Sequence, residues 1–426
     1  MSAFNRRTFL KASAATAALS LTACASTYTG KPKARVVVIG GGFGGATAAK
    51  YIRLWAPQVE VVLIEPNPAF VSCPLSNLVL AGTRRIEDIT TSYDQLQKRH
   101  GVRLVRDRAI AIDPERRLVR LQHGDPVAYD RLVVSPGVDF LYDGIPGLGT
   151  PEARETVLHA WKAGPQTVAL RRQLEAMPDG GVFALHIPKA PYRCPPGPYE
   201  RAAQVAFYFK HHKPRSKVLV LDSNPDITSK KGLFLKAWTE RYPGLIEYVP
   251  NATLISVDAR DRRLQFEFGD DVRADVLNVV PPQRAGDIAR QAGLITANDR
   301  WCEVDWLTTE SVVAKGIHVL GDATLSAPGM PKSGFMANGH AKIAAEAITA
   351  ELTGRAPNPH PILANTCYSF VSDTDVVHVA SVHKYDAEKK TLVPVQGAGG
   401  LSTAANELEG RYADSWARNI WADALL

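Results

Sequence analysis

The chain has 426 residues, 45% of them hydrophobic and 22% charged. That is apolar material enough for two or three domains, and too much for wholesale disorder. The formal charge of +7 is a mild cationic excess spread along the chain, with no basic block or aromatic–basic repeat, so nothing points to nucleic acid. No apolar run reaches the roughly 18–20 residues of a membrane span. The 5 cysteines are too few for a disulfide scaffold, so each needs its own explanation.

Residues 1–30 read as an export leader. Asn5-Arg6-Arg7-Thr8-Phe9-Leu10-Lys11 is a twin-arginine motif, and an Ala-, Ser- and Leu-rich stretch follows from Ala12 to Ala23, too short to cross a bilayer. Twin-arginine export carries folded proteins, which suits a chain that loads a cofactor first. The expected location is the periplasm, where disulfides persist. Leu21-Thr22-Ala23-Cys24 also resembles a lipoprotein cleavage box. A lipid on Cys24 would tie the chain to a membrane, whereas cleavage at the neighbouring small residues would leave it free.

Arg35-Val36-Val37-Val38-Ile39 predicts a buried parallel strand, and Ala46 to Ile52 predicts a helix. Between them Gly40-x-Gly42-x-x-Gly45 has a mechanical meaning. The first glycine turns the chain, the second admits a pyrophosphate, and the third lets the helix close on the strand, its N-terminus toward the phosphates. The next strand, Val61 to Ile64, ends in Glu65, where a ribose hydroxyl is usually held. Tyr129 to Gly137 predicts a strand ending in the turn Ser135-Pro136-Gly137, and Gly316 to Ala323 one ending in Gly321-Asp322. Both resemble the flavoprotein disulfide-reductase superfamily. The resemblance implies FAD rather than NAD, with Asp322 on the ribityl chain and a helix from about Gly334 to Leu352 aimed at the flavin ring.

That superfamily usually inserts a second Rossmann-like domain for NAD(P)H, and matching segments are present: a strand to Ile187, a helix from Tyr199 to Lys210, and a strand from Lys217 to Asp222. The turn between the first two reads Pro188-Lys189-Ala190-Pro191-Tyr192-Arg193-Cys194-Pro195-Pro196-Gly197-Pro198. Proline fixes φ and removes N–H donors, so this turn is not expected to hold a pyrophosphate, and NAD(P)H is not the expected electron partner. No Cys-x-x-Cys-His occurs, so any c-type haem must sit on another chain.

Cys73 follows the ribose-binding strand, Cys194 lies in the proline-rich turn, and Cys367 lies beyond the flavin-facing helix. Cys302 has no such placement and reads as a buried structural thiol. With the segments around Cys73, His159-Ala160-Trp161-Lys162-Ala163-Gly164, Tyr192 to Arg201, Pro281 to Gly286, Met330 to Gly334 and Asn365 to Ser369, the chain resembles the flavoprotein subunits of flavocytochrome c sulfide dehydrogenase. The resemblance implies a thioether from Cys73 to FAD and a redox-active disulfide between Cys194 and Cys367. Pro74 departs from the family pattern, which has an aromatic after the linking cysteine.

The expected architecture is α/β. Two Rossmann-like domains of the disulfide-reductase type are expected, FAD-binding at 31–157 and 280–355 and a Rossmann-like insert at 158–279. A smaller C-terminal α+β region at 356–426 is expected to have short strands near Asp375–His383 and an amphipathic helix from about Asn406. That helix carries Tyr412, Trp416, Ile420 and Trp421, and would dock on its own core or on a partner. The expected chemistry is attack of hydrosulfide on the Cys194–Cys367 disulfide, giving sulfur or polysulfide, with electrons leaving through FAD to a c-type cytochrome subunit. Lys332 is read either as a group that stabilises the anionic reduced flavin or as a solvated loop lysine. Two other readings stay open: a sulfide:quinone oxidoreductase, and a non-catalytic flavin protein serving sulfur carriers.

Overall fold

In the computed structural model, which describes residues 32–426, the chain opens with β1 (Ala34–Ile39) and runs straight into α1 (Phe43–Trp55). The twin-arginine motif and Cys24 lie outside the described residues. β2 (Val59–Ile64) pairs parallel with β1, Val36 opposite Val61. A short helix, α2 (Ser76–Ala81), follows Cys73, and then come β3 (Arg103–Val105) and β4 (Arg131–Val134). Val36, Val37, Val38, Val61, Val62 and Leu63 are all fully buried. Both faces of the sheet are therefore covered, which is why these strands read as continuous apolar runs rather than as alternation.

The chain leaves this first sheet through Val138–Phe140, which pairs with Gln283–Ala285 on the way back. Between the two crossings lie α3 (Pro165–Ala176), β5 (Val182–Ile187), α4 (Gly197–His212), β6 (Lys217–Asp222), α5 (Lys231–Arg241), β7 (Ile246–Val249) and β8 (Val276–Val279). The four strands form a second parallel sheet in the order β7-β6-β5-β8. Its core holds Phe183, Tyr199, Phe209 and Phe234, all fully buried. Each such side chain contributes about 1.5–3 kcal/mol by leaving water.

β9 (Ile317–Val319) rejoins the first sheet beside β4, completing the order β9-β4-β1-β2-β3. α6 (Gly334–Leu352) then packs along α1. Its contact face is Ala341, Ala344, Ala345 and Ile348, against Ala46, Ala48, Ala49 and Ile52. Small residues on both helices let the axes approach closely, and this brings the N-termini of α1 and α6 to the same side of the sheet.

The C-terminal region differs from its expected form. In place of short strands it holds a meander of three long ones, β10 (Ile362–Phe370), β11 (Val376–Asp386) and β12 (Thr391–Leu401), before α7 (Glu407–Leu425). The strands stayed hidden because β10 carries Asn, Thr and Ser, and β12 ends in Gly397-Ala398-Gly399-Gly400. These residues read as loop by composition, yet Gly399 and Gly400 pair across the sheet with Ser381 and Ala380. Asn406 caps α7 by accepting a hydrogen bond from the Glu409 amide at 2.9 Å. The helix docks on its own chain through Ala413, Ala417, Ile420 and Ala424, while Tyr412 points outward.

Candidate functional site

The two Rossmann-type sheets and the C-terminal meander converge on one cavity of about 940 Å³, within the roughly 300–1,000 Å³ typical of cofactor sites. One end is built by the β1–α1 turn. Gly40 sits at φ +95°, and a Cβ there would lie 2.3 Å from the Ser135 carbonyl oxygen. A Cβ on Gly45 would lie 1.8 Å from the Gly40 carbonyl oxygen, so only glycine lets α1 seat against the strand. At Gly42 a Cβ would meet nothing within 4 Å, because the position faces open cavity. Glu65 is buried beside this turn and accepts hydrogen bonds from the Gly41 amide at 2.7 Å and the Asn67 amide at 2.8 Å. Ser135, Pro136 and Gly137 line the adjoining wall.

Gly321 and Asp322 continue that wall, with Gly321 at φ +73°. Its amide donates to His340 Nδ1 at 3.2 Å, and burial lowers His340 to about 3, so the imidazole is a neutral acceptor. Asp322 Oδ1 is buried without a protein partner. An unpaired buried acceptor is costly; Asp322 lines the cavity, where a ligand hydroxyl reaching Oδ1 would satisfy it. That orphan acceptor, the space above Gly42 and the uncapped N-terminus of α1 fit FAD. Gly40, Gly42, Gly45 and Glu65 would hold its adenosine diphosphate end, Asp322 its ribityl chain, and Ser333 and Gly334 at the start of α6 would face its ring.

Cys73, Cys194 and Cys367 all line this cavity, and all are free thiols. Cys73 lies between β2 and α2, with its sulfur facing the His159–Gly164 segment. It accepts from the Ala163 amide at 3.5 Å and from Arg193 Nη2 at 2.8 Å. Cys194 sits at φ +59° in the turn before α4. That turn is pinned to the rest of the cavity wall, the Cys194 amide donating to the Lys332 carbonyl at 2.8 Å and the Arg193 amide to Gln283 Oε1 at 2.9 Å. Cys367 comes from β10, where its backbone pairs with Val379. Cys194 is exposed and Cys367 half-buried; burial pushes the Cys367 thiol up, and Lys230 is close enough for its cation to act against that shift. Cys302 is fully buried away from this group, and burial raises it to about 12.

Lys332 is not a solvated loop residue. Its ammonium is buried, donates to the carbonyls of Asp322 and Thr324, and lies 3.7 Å from the centre of the Trp301 ring. Burial lowers it to about 8. Two of its three hydrogens go to these carbonyls, which ties the Asp322 turn to the residues before α6.

A charged lining around the cysteines went unread in the sequence. Arg193 places a guanidinium between Cys73 and Asp322. Glu200 on α4 is buried and accepts from the Phe370 amide and from Asn77 Nδ2, both at 2.9 Å; burial raises its carboxyl. Arg201 is buried against Trp161 and donates to the carbonyls of His159 and Ala160 at 2.8 and 2.7 Å. Lys230, just before α5 and behind the cavity wall, donates to the Cys367 carbonyl at 2.9 Å. The turn ahead of α4 does not resemble a nucleotide cradle. At the end of β6, where a ribose would be held, Asp222 instead accepts from Tyr199 and Tyr248 hydroxyls at 2.7 and 3.1 Å and from the Asn224 amide at 2.9 Å.

Three family models match successive stretches of the chain. Residues 34–176 match pyridine nucleotide-disulphide oxidoreductases. Residues 167–281 match the central region of the sulfide dehydrogenase [flavocytochrome c] flavoprotein chain, and residues 359–425 match the flavin-binding region of flavocytochrome c sulphide dehydrogenase. A sulfide dehydrogenase [flavocytochrome c] flavoprotein chain of Chlorobaculum thiosulfatiphilum is 62% identical over 45 residues, 11% of this chain and 94% of that one. The chain belongs to the flavocytochrome c sulfide dehydrogenase flavoprotein family. Within that family's layout, Cys73 falls in the first matched region, Cys194, Glu200 and Lys230 in the central one, and Cys367 in the flavin-binding one. More distant likenesses agree on the fold. The mitochondrial sulfide:quinone oxidoreductase of Mus musculus is 22% identical over 321 residues, 70% of this chain and 67% of that one. The crystal structure of the sulfide:quinone oxidoreductase from Aquifex aeolicus superposes with a TM-score of 0.76 at 20% identity, covering 92% of this chain and 91% of that one.

Proposed function

We propose that this chain is the FAD-bearing subunit of an enzyme that oxidises sulfide to sulfur or polysulfide and passes the electrons to a c-type cytochrome subunit. The reading includes export to the periplasm, resting on Arg6 and Arg7, and a thioether from Cys73 to FAD. The observation that carries it is that Cys194, from the turn before α4, and Cys367, from β10, line the same cavity that fits FAD. As a disulfide the pair offers an electrophile to hydrosulfide. The S–S bond breaks, one sulfur becomes a persulfide, and the other leaves as a thiolate. Lys230 and Arg193 supply positive charge beside these sulfurs, and Glu200 holds a proton or releases it within the same cavity. FAD, when bound, supplies a two-electron acceptor that can release electrons singly. Prolines at 195, 196 and 198 and the occupied carboxylate of Asp222 argue against a nicotinamide donor.

The test is anaerobic titration of the purified protein with sulfide, followed by separate addition of cytochrome c and of a soluble quinone. Stoichiometric bleaching of the flavin and reoxidation by cytochrome c are expected. Reoxidation by quinone alone would make this a quinone reductase. Cys194→Ser and Cys367→Ser should each abolish bleaching by sulfide but not by dithionite, and their double variant should be little worse than either. Near-normal sulfide turnover in a single variant would overturn the disulfide chemistry.

A further inference from the structure

Lys230 has the burial of a core residue and the charge of a surface one. It stands immediately before α5 at φ +55°, a left-handed conformation uncommon for a non-glycine residue. Its side chain is 6% exposed. The ammonium crosses from the second sheet's layer into the C-terminal meander, where it donates to the Cys367 carbonyl at 2.9 Å, the Ser369 hydroxyl at 2.7 Å and the Val377 carbonyl at 3.2 Å. All three donors are used, and all three acceptors lie on β10 or β11. Those acceptors are neutral. A buried ammonium without a counter-ion is costly, and the groups able to balance it here are Cys367, Glu200 and Cys194, with Glu409 farther out.

We propose that Lys230 is a positioning residue that presents Cys367 to the cavity and holds negative charge on its sulfur. The inference rests on the reading of Cys367 as a reacting sulfur. In the disulfide the sulfur is neutral. Once hydrosulfide opens the bond, Cys367 carries charge as a thiolate or as a persulfide anion, and the fixed cation is already in place. Preorganised charge of this kind needs no rearrangement when the sulfur becomes anionic. Burial lowers the ammonium to about 8, and the Cys367 anion acts to raise it again. The other groups facing Cys367 are Asn365, whose Nδ2 donates to its sulfur at 3.4 Å, the Ser333 hydroxyl, Glu200 and Cys194. Among these groups only Lys230 is a cation.

The test reads the thiol itself and needs no sulfide turnover. In reduced protein with Cys194→Ser, the rate of Cys367 alkylation is followed against pH by mass spectrometry. Lys230→Met should move the profile up by about one pH unit, a fall of about tenfold in rate near neutrality. Lys230→Gln keeps hydrogen-bond donors but no charge, and should show the same loss. A Gln profile matching that of the parent would mean that the lysine acts only as a structural tie, and would overturn the proposal. Should neither variant fold, the intact lysine still decides. Its nitrogen resonance should titrate at lower pH in Cys367→Ser than in the parent, and an unmoved titration would sink the idea. If the profiles shift as expected but sulfide fails to bleach the flavin, the proposed function falls and the charge relation stands.

Discussion

The β1–α1 turn and the β5–α4 turn occupy the same place in two copies of one architecture, and they were built for different guests. In the first, glycines remove every side chain from the path of a pyrophosphate, and Gly45 lies so close to Gly40 that a single methyl would collide with backbone. In the second, prolines remove N–H donors, and the acid at the end of the next strand is held by two tyrosines and an asparagine. The space released by the missing nucleotide is used to carry Cys194 into the cavity of the first sheet. A Rossmann-type sheet is therefore a frame, and the chemistry of its first turn decides whether it binds a cofactor or delivers a side chain to one bound elsewhere.

The largest effect that tests this contrast is expected at Gly45. Gly45→Ala should lower bound flavin by about tenfold or more, since relieving an overpacked backbone contact costs about 1–3 kcal/mol and displaces the helix N-terminus. Pro196→Ala in the other turn should leave the flavin loaded. Absorbance at the flavin bands per mole of protein decides, and equal colour in both variants would erase the distinction.

An intermediate effect is expected in acid, and the two layers should share it. Burial depresses His340 on α6 to about 3, His159 to about 3 and His186 on β5 to about 4. The unfolded chain binds protons at these residues below about pH 6.5 while the folded chain does not. Stability is thus fully retained above pH 6.5 and falls as pH drops from 6.5 toward 4, by about 1.4 kcal/mol per pH unit for each histidine. Urea midpoints at pH 7 and pH 5 measure the slope. His186→Gln should flatten it by that single-histidine share, and an unchanged slope would mean that His186 is protonated in the folded state.

The smallest effect concerns the tied acid of the second turn. Tyr248→Phe removes one hydrogen bond to Asp222 and should cost about 0.5–1.5 kcal/mol of stability. Millimolar NADH should still leave the flavin oxidised under anaerobic conditions. Bleaching would show that a latent nucleotide site lies beneath the tyrosines, and the contrast between the turns would become one of degree.

The first turn was legible in the sequence because its signal is local: a strand, spaced glycines, a helix and an acid follow within a few dozen residues. The helix Gly334–Leu352 was legible for the same reason, with Gly354 to end it. The charged groups around the cysteines were not. Arg193 stands inside a motif whose cysteine drew attention, and Glu200 and Lys230 look like ordinary polar residues at the starts of helices. Their meaning lies in partners far along the chain, Cys73 for Arg193, Phe370 for Glu200 and Cys367 for Lys230. The long strands of the meander were missed because Thr, Ser, Asn and Gly residues serve well on partly exposed strands while carrying the composition of a loop. Lys332 was read by its neighbours Pro331 and Ser333, which mark a turn, and only the Trp301 ring and the carbonyls around it show that the turn is buried.

The shared wall of the cavity bears on how the molecule comes apart. Its lining is drawn from the first sheet, the second sheet and the terminal meander, so a group filling it acts as a cross-link among three units that already share apolar contacts, Val377 with the second sheet's core and Leu363 and Leu392 with the first's. Occupied, the three should melt together in a single transition that rises with ligand concentration. Emptied, the meander has only a small cluster, Phe370, Val376 and Ala413 with Leu78 of α2, and otherwise leans on its neighbours, so it should open first, and protease should find its strands before it reaches the parallel sheets.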